Sequence, residues 1–154
     1  MVLWGFKTSG FRESVRVISI PALVVTGLSF TYGLMKGHLV FNWHIIPVVI
    51  LYPLWGTVQQ FLVISLFGGN LSDKRHPRFN TALVVLLTAA LFGIVHYPSF
   101  LLITATFFLA IFYFLLFIRF RNLWALGIFH GWLACIFYFF VLGRDPWLEF
   151  VNTI

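Results

Sequence analysis

Five apolar runs, each close to the roughly 20 residues needed to cross a hydrocarbon layer about 30 Å thick as an α-helix, leave this chain a single class of fold. They are Val17–Met35, Trp43–Phe67, Thr81–Tyr97, Phe100–Ile118 and Leu123–Leu142. Lipid offers the backbone no hydrogen-bond partners, so the expectation is an all-α, polytopic transmembrane helical bundle of about five spans. Composition agrees, since 9% of the residues are charged where a soluble domain has about a quarter. The second run carries Pro47, Pro53 and Gly56, which predict a tilted or kinked helix. The third meets Pro98, which disfavours helical angles at Tyr97 and predicts a tight hairpin through Tyr97, Pro98 and Ser99.

The net charge of +6 would suggest nucleic acid in a soluble protein. Here the basic residues sit in short loops between spans, where they set topology, and no nucleic-acid partner is expected. One side receives Lys7, Arg12, Arg16, Lys74, Arg75, Arg78, Arg119 and Arg121, the other only Lys36 and Arg144. This asymmetry predicts a cytoplasmic N-terminus and a C-terminus on the opposite side. Residues 1–16 interleave Trp4, Phe6 and Phe11 with Lys7, Arg12 and Arg16, which reads as an interfacial amphipathic helix lying on the cytoplasmic leaflet. Pro21 interrupts the first apolar run, and no small-residue cleavage site follows it, so a cleaved signal is not expected. The segment from Arg144 to Phe150 is expected to rest on the opposite interface through Trp147 and Phe150, with His38 and His44 solvated nearby and His76 solvated in the basic loop. Residues 1–154 read as a single membrane domain. Cys135 lies inside an apolar run and reads as a small buried hydrophobe. The aromatic residues Phe107, Phe108, Phe112, Tyr113, Phe114 and Phe117 wind around most of the fourth span, which is expected to face lipid or a partner protein.

Polar side chains at membrane depth are costly and mark packing or functional sites. Four stand out: Gln59 and Gln60 in the second span, His96 at the end of the third and His130 in the fifth. Adjacent residues on a helix point about 100° apart, so at most one glutamine can aim squarely at a given pocket. The expected convergence is of Gln60, His96 and His130, with the other amide bonded to a neighbouring helix.

Taken in order, Gln59-Gln60-Phe-Leu, Phe92-x-x-x-His96 and Asn122-Leu-Trp-Ala-Leu-Gly-Ile-Phe-His130-Gly-Trp-Leu-Ala134 resemble the CPBP family of membrane proteins, which includes CAAX-processing endopeptidases and bacteriocin self-immunity proteins. The resemblance spans about residues 54–137. The family carries Glu-Glu-x-x-x-Arg, Phe-x-x-x-His and His-x-x-x-Asn in this order. Here Gln59 and Gln60 stand for the glutamates, Ile64 for the arginine and Ala134 for the asparagine, while Phe92, His96 and His130 are kept. The resemblance implies an integral protein of the bacterial inner membrane whose family-equivalent catalytic positions are Gln59, Gln60, His96 and His130.

In that family a glutamate activates water, and a carboxamide cannot take the proton. The only acids are Glu13, Asp73, Asp145 and Glu149, all in tails or loops. The expected function is therefore non-hydrolytic, a pseudoprotease that binds a membrane protein or lipidated peptide, or an accessory subunit of a membrane complex, with membrane lipid as its other partner and no cofactor or metal. One alternative is an active endopeptidase using His96 or His130 as base with a glutamine on the oxyanion. Another is a cofactor ligated by the two histidines. Axial counting opposes the latter, because from the cytoplasmic boundary His130 lies roughly 12 Å in and His96 roughly 23 Å.

Overall fold

A computed structural model describes residues 4–72 and 79–152. The expectations for Asp73, Lys74, Arg75, His76 and Arg78 lie outside the described residues. Among the described residues six helices follow in order: α1 Phe11–Lys36, α2 Ile45–Leu71, α3 Thr81–Ile94, α4 Phe100–Phe120, α5 Leu123–Leu142 and the short α6 Pro146–Val151. Two of them widen locally to i→i+5 turns, α2 over Phe61–Gly68 and α5 over Phe137–Leu142. Such wide turns are rare inside helices and occur often at functional sites.

Four helices among the described residues, α1, α2, α4 and α5, are long and apolar enough to cross a membrane. The fifth expected span is shorter than its apolar run, because α3 stops after 14 residues at Ile94, about 21 Å at 1.5 Å per residue. The expected hairpin is present, with a cis Tyr97-Pro98 peptide and the Ser99 hydroxyl accepting from the Leu102 N–H to start α4. Pro53 lies inside α2, and Pro21, expected to interrupt the first run, sits inside α1.

The interfacial helix expected over residues 1–16 is not formed. Within the described part, Trp4–Gly10 is a compact coil and α1 begins at Phe11. The cause is a non-local capture of its backbone. The side chain of Asn122, only 1% exposed, donates to the Lys7 and Ser9 carbonyls at 2.6 and 3.2 Å, while its oxygen accepts from the Ala125 N–H and caps α5. The Leu123 N–H donates to Gly5 O, and the Ser65 hydroxyl to Trp4 O. Phe6 packs between Phe61 and Trp124.

The main core gathers Ile64, Val84, Ala89, Phe92, Ala110, Tyr113, Phe114, Phe117, Leu123 and Leu126 from α2 to α5. This corrects the reading of α4 as a lipid-facing aromatic helix. Tyr113, Phe114 and Phe117 are fully buried, and of the six aromatics only Phe108 is largely exposed. Instead α1 faces outward, with Ile20, Leu23, Leu28 and Met35 all exposed. A hydrocarbon-rich helix has the same composition whether it faces lipid or core, so its neighbours decide.

At the end opposite Asn122, Asp145 ties the C-terminal helix down. Its Oδ1 accepts from the Trp147 and Leu148 N–H groups, and its Oδ2 accepts from Asn42 Nδ2 and from His44 Nδ1–H, both at 2.7 Å. His38 Nδ1–H donates to Val141 O at 2.9 Å. Neither histidine is simply solvated, as expected above: loop and helix end supply each with a partner. Trp147 packs on a small cluster around Val48, Cys135 and Phe139, whereas Phe150 is exposed.

Burial disfavours the charged form of Asp145, but hydrogen bonds from His44, Asn42 and Leu148 outweigh it and hold the carboxyl below its ordinary range. A depressed folded-state pKa gives stability that is present above the unfolded value, about 3.9, and is lost as pH falls through the folded value. Acidification below about pH 4 should therefore release Pro146–Val151 before the bundle melts, read as faster amide exchange of that segment. Asp145→Asn, which keeps an oxygen for the cap, should abolish that acid transition.

Candidate functional site

The site is built on the contact between α2 and α5, where side chains are missing. A Cβ on Gly56 would stand 2.6 Å from Gly127 O and 2.8 Å from Gly131 N. One on Gly127 would strike Thr57, and one on Gly131 the backbone of Tyr52 and Pro53. Small residues spaced four apart let two membrane helices approach backbone to backbone. Gly127-x-x-x-Gly131 is such a pair and was legible in the sequence, but the reading above passed over it. His130 is the residue before Gly131, and Gln59 lies one turn beyond Gly56, so the close approach sets these two side chains face to face.

His130 Nε2–H donates to Gln59 Oε1 at 3.0 Å, a bond that assigns the ring proton to Nε2. His130 is 4% exposed, and its Nδ1 has no partner among the described residues. His96 is held differently. Its Nδ1–H donates to the carbonyl of Phe92, one turn earlier, at 2.7 Å. The Phe92 ring stands at 89° to the His96 ring with centroids 5.1 Å apart, and its centroid lies 5.2 Å from that of His130. Phe92-x-x-x-His96 is thus one unit, whose backbone orients the imidazole and whose ring spaces the two histidines. Counting residues along straight helices from one boundary separates them because it assumes a shared starting plane. The chain turns beyond α3 before reaching His96, and the bundle brings both histidines to one ring.

Gln59, His96 and His130 line a cavity of about 410 Å³ enclosed by α1, α2, α4 and α5, together with Pro21, Val25, Trp55, Thr106, Phe108 and Ala134. Gln60 does not line it, which corrects the expected convergence. Its side chain is 0% exposed, and both amide atoms lack a partner among the described residues. The helical step decides which glutamine serves the cavity: Gln60 shares a face with Ile64, and Ile64 belongs to the core. Of the four family-equivalent substitutions, Gln59 and Ala134 therefore face the cavity, and Gln60 and Ile64 are buried away from it. The Thr106 hydroxyl is engaged with Leu102 O at 2.7 Å. Thr88 Oγ1, not singled out in the sequence, and Tyr113 OH, read there only as part of an aromatic stripe, are further buried polar atoms with no partner among the described residues.

No Asp, Glu, Lys or Arg among the described residues lines this chamber. Among the described residues no three His, Cys, Asp or Glu side chains gather to hold a metal. Around its two histidines the cavity offers hydrogen bonding, with the amide nitrogen of Gln59 as donor and His96 Nε2 and His130 Nδ1 as acceptors, and Tyr52, Tyr138 and Trp55 also line it.

The family model described as type II CAAX prenyl endopeptidase Rce1-like matches residues 42–136, from the turn before α2 to the middle of α5. No curated protein and no solved structure matches the chain. The matched stretch is more than half of the chain and takes in every cavity residue that the motif remnants supply, and it is the family to which those remnants point: this integral membrane protein belongs to the Rce1-like family of type II CAAX prenyl endopeptidases.

Proposed function

We propose that this protein binds its ligand without cleaving it, as a pseudoprotease or an accessory subunit that holds a lipidated peptide or a membrane protein. The observation that carries this reading is the Gln59–His130 bond. An amide oxygen that accepts the imidazole proton occupies the position where hydrolysis needs a carboxylate to accept one from water. Ala134, also at the cavity wall, offers a methyl group where the family places a carboxamide donor. The proposed orientation follows the basic asymmetry, with the N-terminus cytoplasmic in a bacterial inner membrane. A reporter fused after Ile154 should then report from the opposite side.

One observation favours an active endopeptidase instead. His96 is oriented by Phe92 O, and its Nε2 is left as an acceptor at the cavity. The deciding assay is hydrolysis of a lipidated or transmembrane peptide by purified protein in detergent, comparing wild type with Gln59→Glu/Gln60→Glu. No turnover is expected from wild type. The double variant should remain poor as well, because each missing oxyanion donor costs about 10²- to 10³-fold in rate and Ala134 supplies none. Wild-type turnover that His96→Ala abolishes would establish the enzyme.

A further inference from the structure

The cavity's hydrogen-bonding inventory is unusual for a site built from an endopeptidase frame. Around Gln59 it presents two imidazole acceptors and one amide donor, with Tyr52, Tyr138 and Trp55 elsewhere in its lining, and among the described residues no charged side chain lines it to balance an ion. His130 Nδ1 is the stronger indicator, because an acceptor on a side chain 4% exposed goes unanswered by the protein. Leaving such an atom unmet costs more than a made bond contributes. A ligand group that answers it must donate. The neighbouring Gln59 amide nitrogen makes no bond among the described residues and would donate in turn, so the matching group both gives and takes one hydrogen bond. A hydroxyl does so.

Most of the rest of the chamber is apolar, walled by Val25, Leu102, Phe108 and Leu109, and its 410 Å³ falls within the range of pockets that enclose a small organic molecule, about 300–1,000 Å³. A carboxylate or phosphate placed against His96 and His130 would face two lone pairs and no cation, and would lose its hydration without compensation. Resting on the binding reading above, we infer that the cavity takes an uncharged single-chain amphiphile whose terminal hydroxyl sits between Gln59 and the two histidines and whose hydrocarbon tail fills the apolar part.

The test uses the full chain in lipid nanodiscs and three probes of one tail length: dodecan-1-ol, its methyl ether, and dodecanoate at a pH where it is ionised. Bound probe is counted by native mass spectrometry. The expected result is one saturable molecule of the alcohol per protein, with the ether weaker by about tenfold, as the loss of one hydrogen bond implies, and the carboxylate no tighter than the ether. Gln59→Glu keeps the acceptor for His130 but removes the N–H donor to the ligand oxygen, which alcohol and ether both carry, so it should weaken both probes and leave the alcohol preferred, and unchanged binding of both would overturn the placement of the hydroxyl. Because His130 is buried and its replacement risks the fold, Gln59→Leu at the half-buried partner is the second variant, with the same expectation. Equal binding of alcohol and ether, or preference for the carboxylate, would overturn the inference. Neither outcome bears on hydrolysis, whereas peptide turnover by wild type would overturn the non-hydrolytic reading and leave the probe ranking standing.

Discussion

Gln60→Met is expected to stabilise the protein. The native side chain is 0% exposed, and among the described residues neither its Nε2 nor its Oε1 finds a partner. Methionine is close to glutamine in length and bulk, so the swap removes two unmet polar atoms without opening a hole. An unsatisfied buried group costs about 1–3 kcal/mol, which sets the expected gain. Thermal unfolding of the purified protein in detergent measures it. The sign is what matters, since a melting temperature lowered by Gln60→Met would mean that the amide is bonded. Gln60→Glu should move stability the other way, because a carboxylate at the same place must be desolvated or held protonated. Restoring the family's acid at this position therefore acts on the core and leaves the cavity without a base.

The largest loss is expected at the glycine seam. Gly131→Val would drive a branched side chain into the backbone of Tyr52 and Pro53, atoms that cannot swing aside as a side-chain tip can. Overpacking against fixed backbone should cost about 3 kcal/mol or more, and it should separate His130 from Gln59. Gly27 provides the control: it is also a helical glycine, in α1, but a Cβ there would meet nothing within 4 Å. Gly27→Ala should raise stability by roughly 0.5–1 kcal/mol through helix propensity alone. Equal losses at both positions would show that the α2–α5 contact is looser than described.

The apolar runs announced the long helices because length and hydrocarbon content are what a bilayer demands, and the Tyr97-Pro98-Ser99 turn was readable because proline acts on its own neighbour. What escaped the sequence depends on contacts between distant segments. Asn122 captures the carbonyls of Lys7 and Ser9 across more than a hundred residues, and nothing local to Trp4–Gly10 reveals that. The rings of α4 looked lipid-facing because lipid and core impose the same composition. The motif remnants located the site, since order and spacing survive the loss of the acids. Which of two adjacent amides would face the cavity turned on a rotation of about 100°, and that rotation is set by where α2 meets α5. The Gly127-x-x-x-Gly131 pair carried that information in plain sight.

Two of the cavity's walls, Pro21 and Val25, come from α1, a helix that lies outside the family-matched stretch and turns most of its surface outward. The chamber is thus closed on that side by the element least embedded in the bundle, and its nearest reservoir is the bilayer. An occupant arriving by that route diffuses in two dimensions, and its effective concentration is a mole fraction in lipid. Half-saturation should accordingly track the ratio of ligand to lipid, stay constant on dilution of the vesicles, and shift with any lipid composition that changes how α1 is seated.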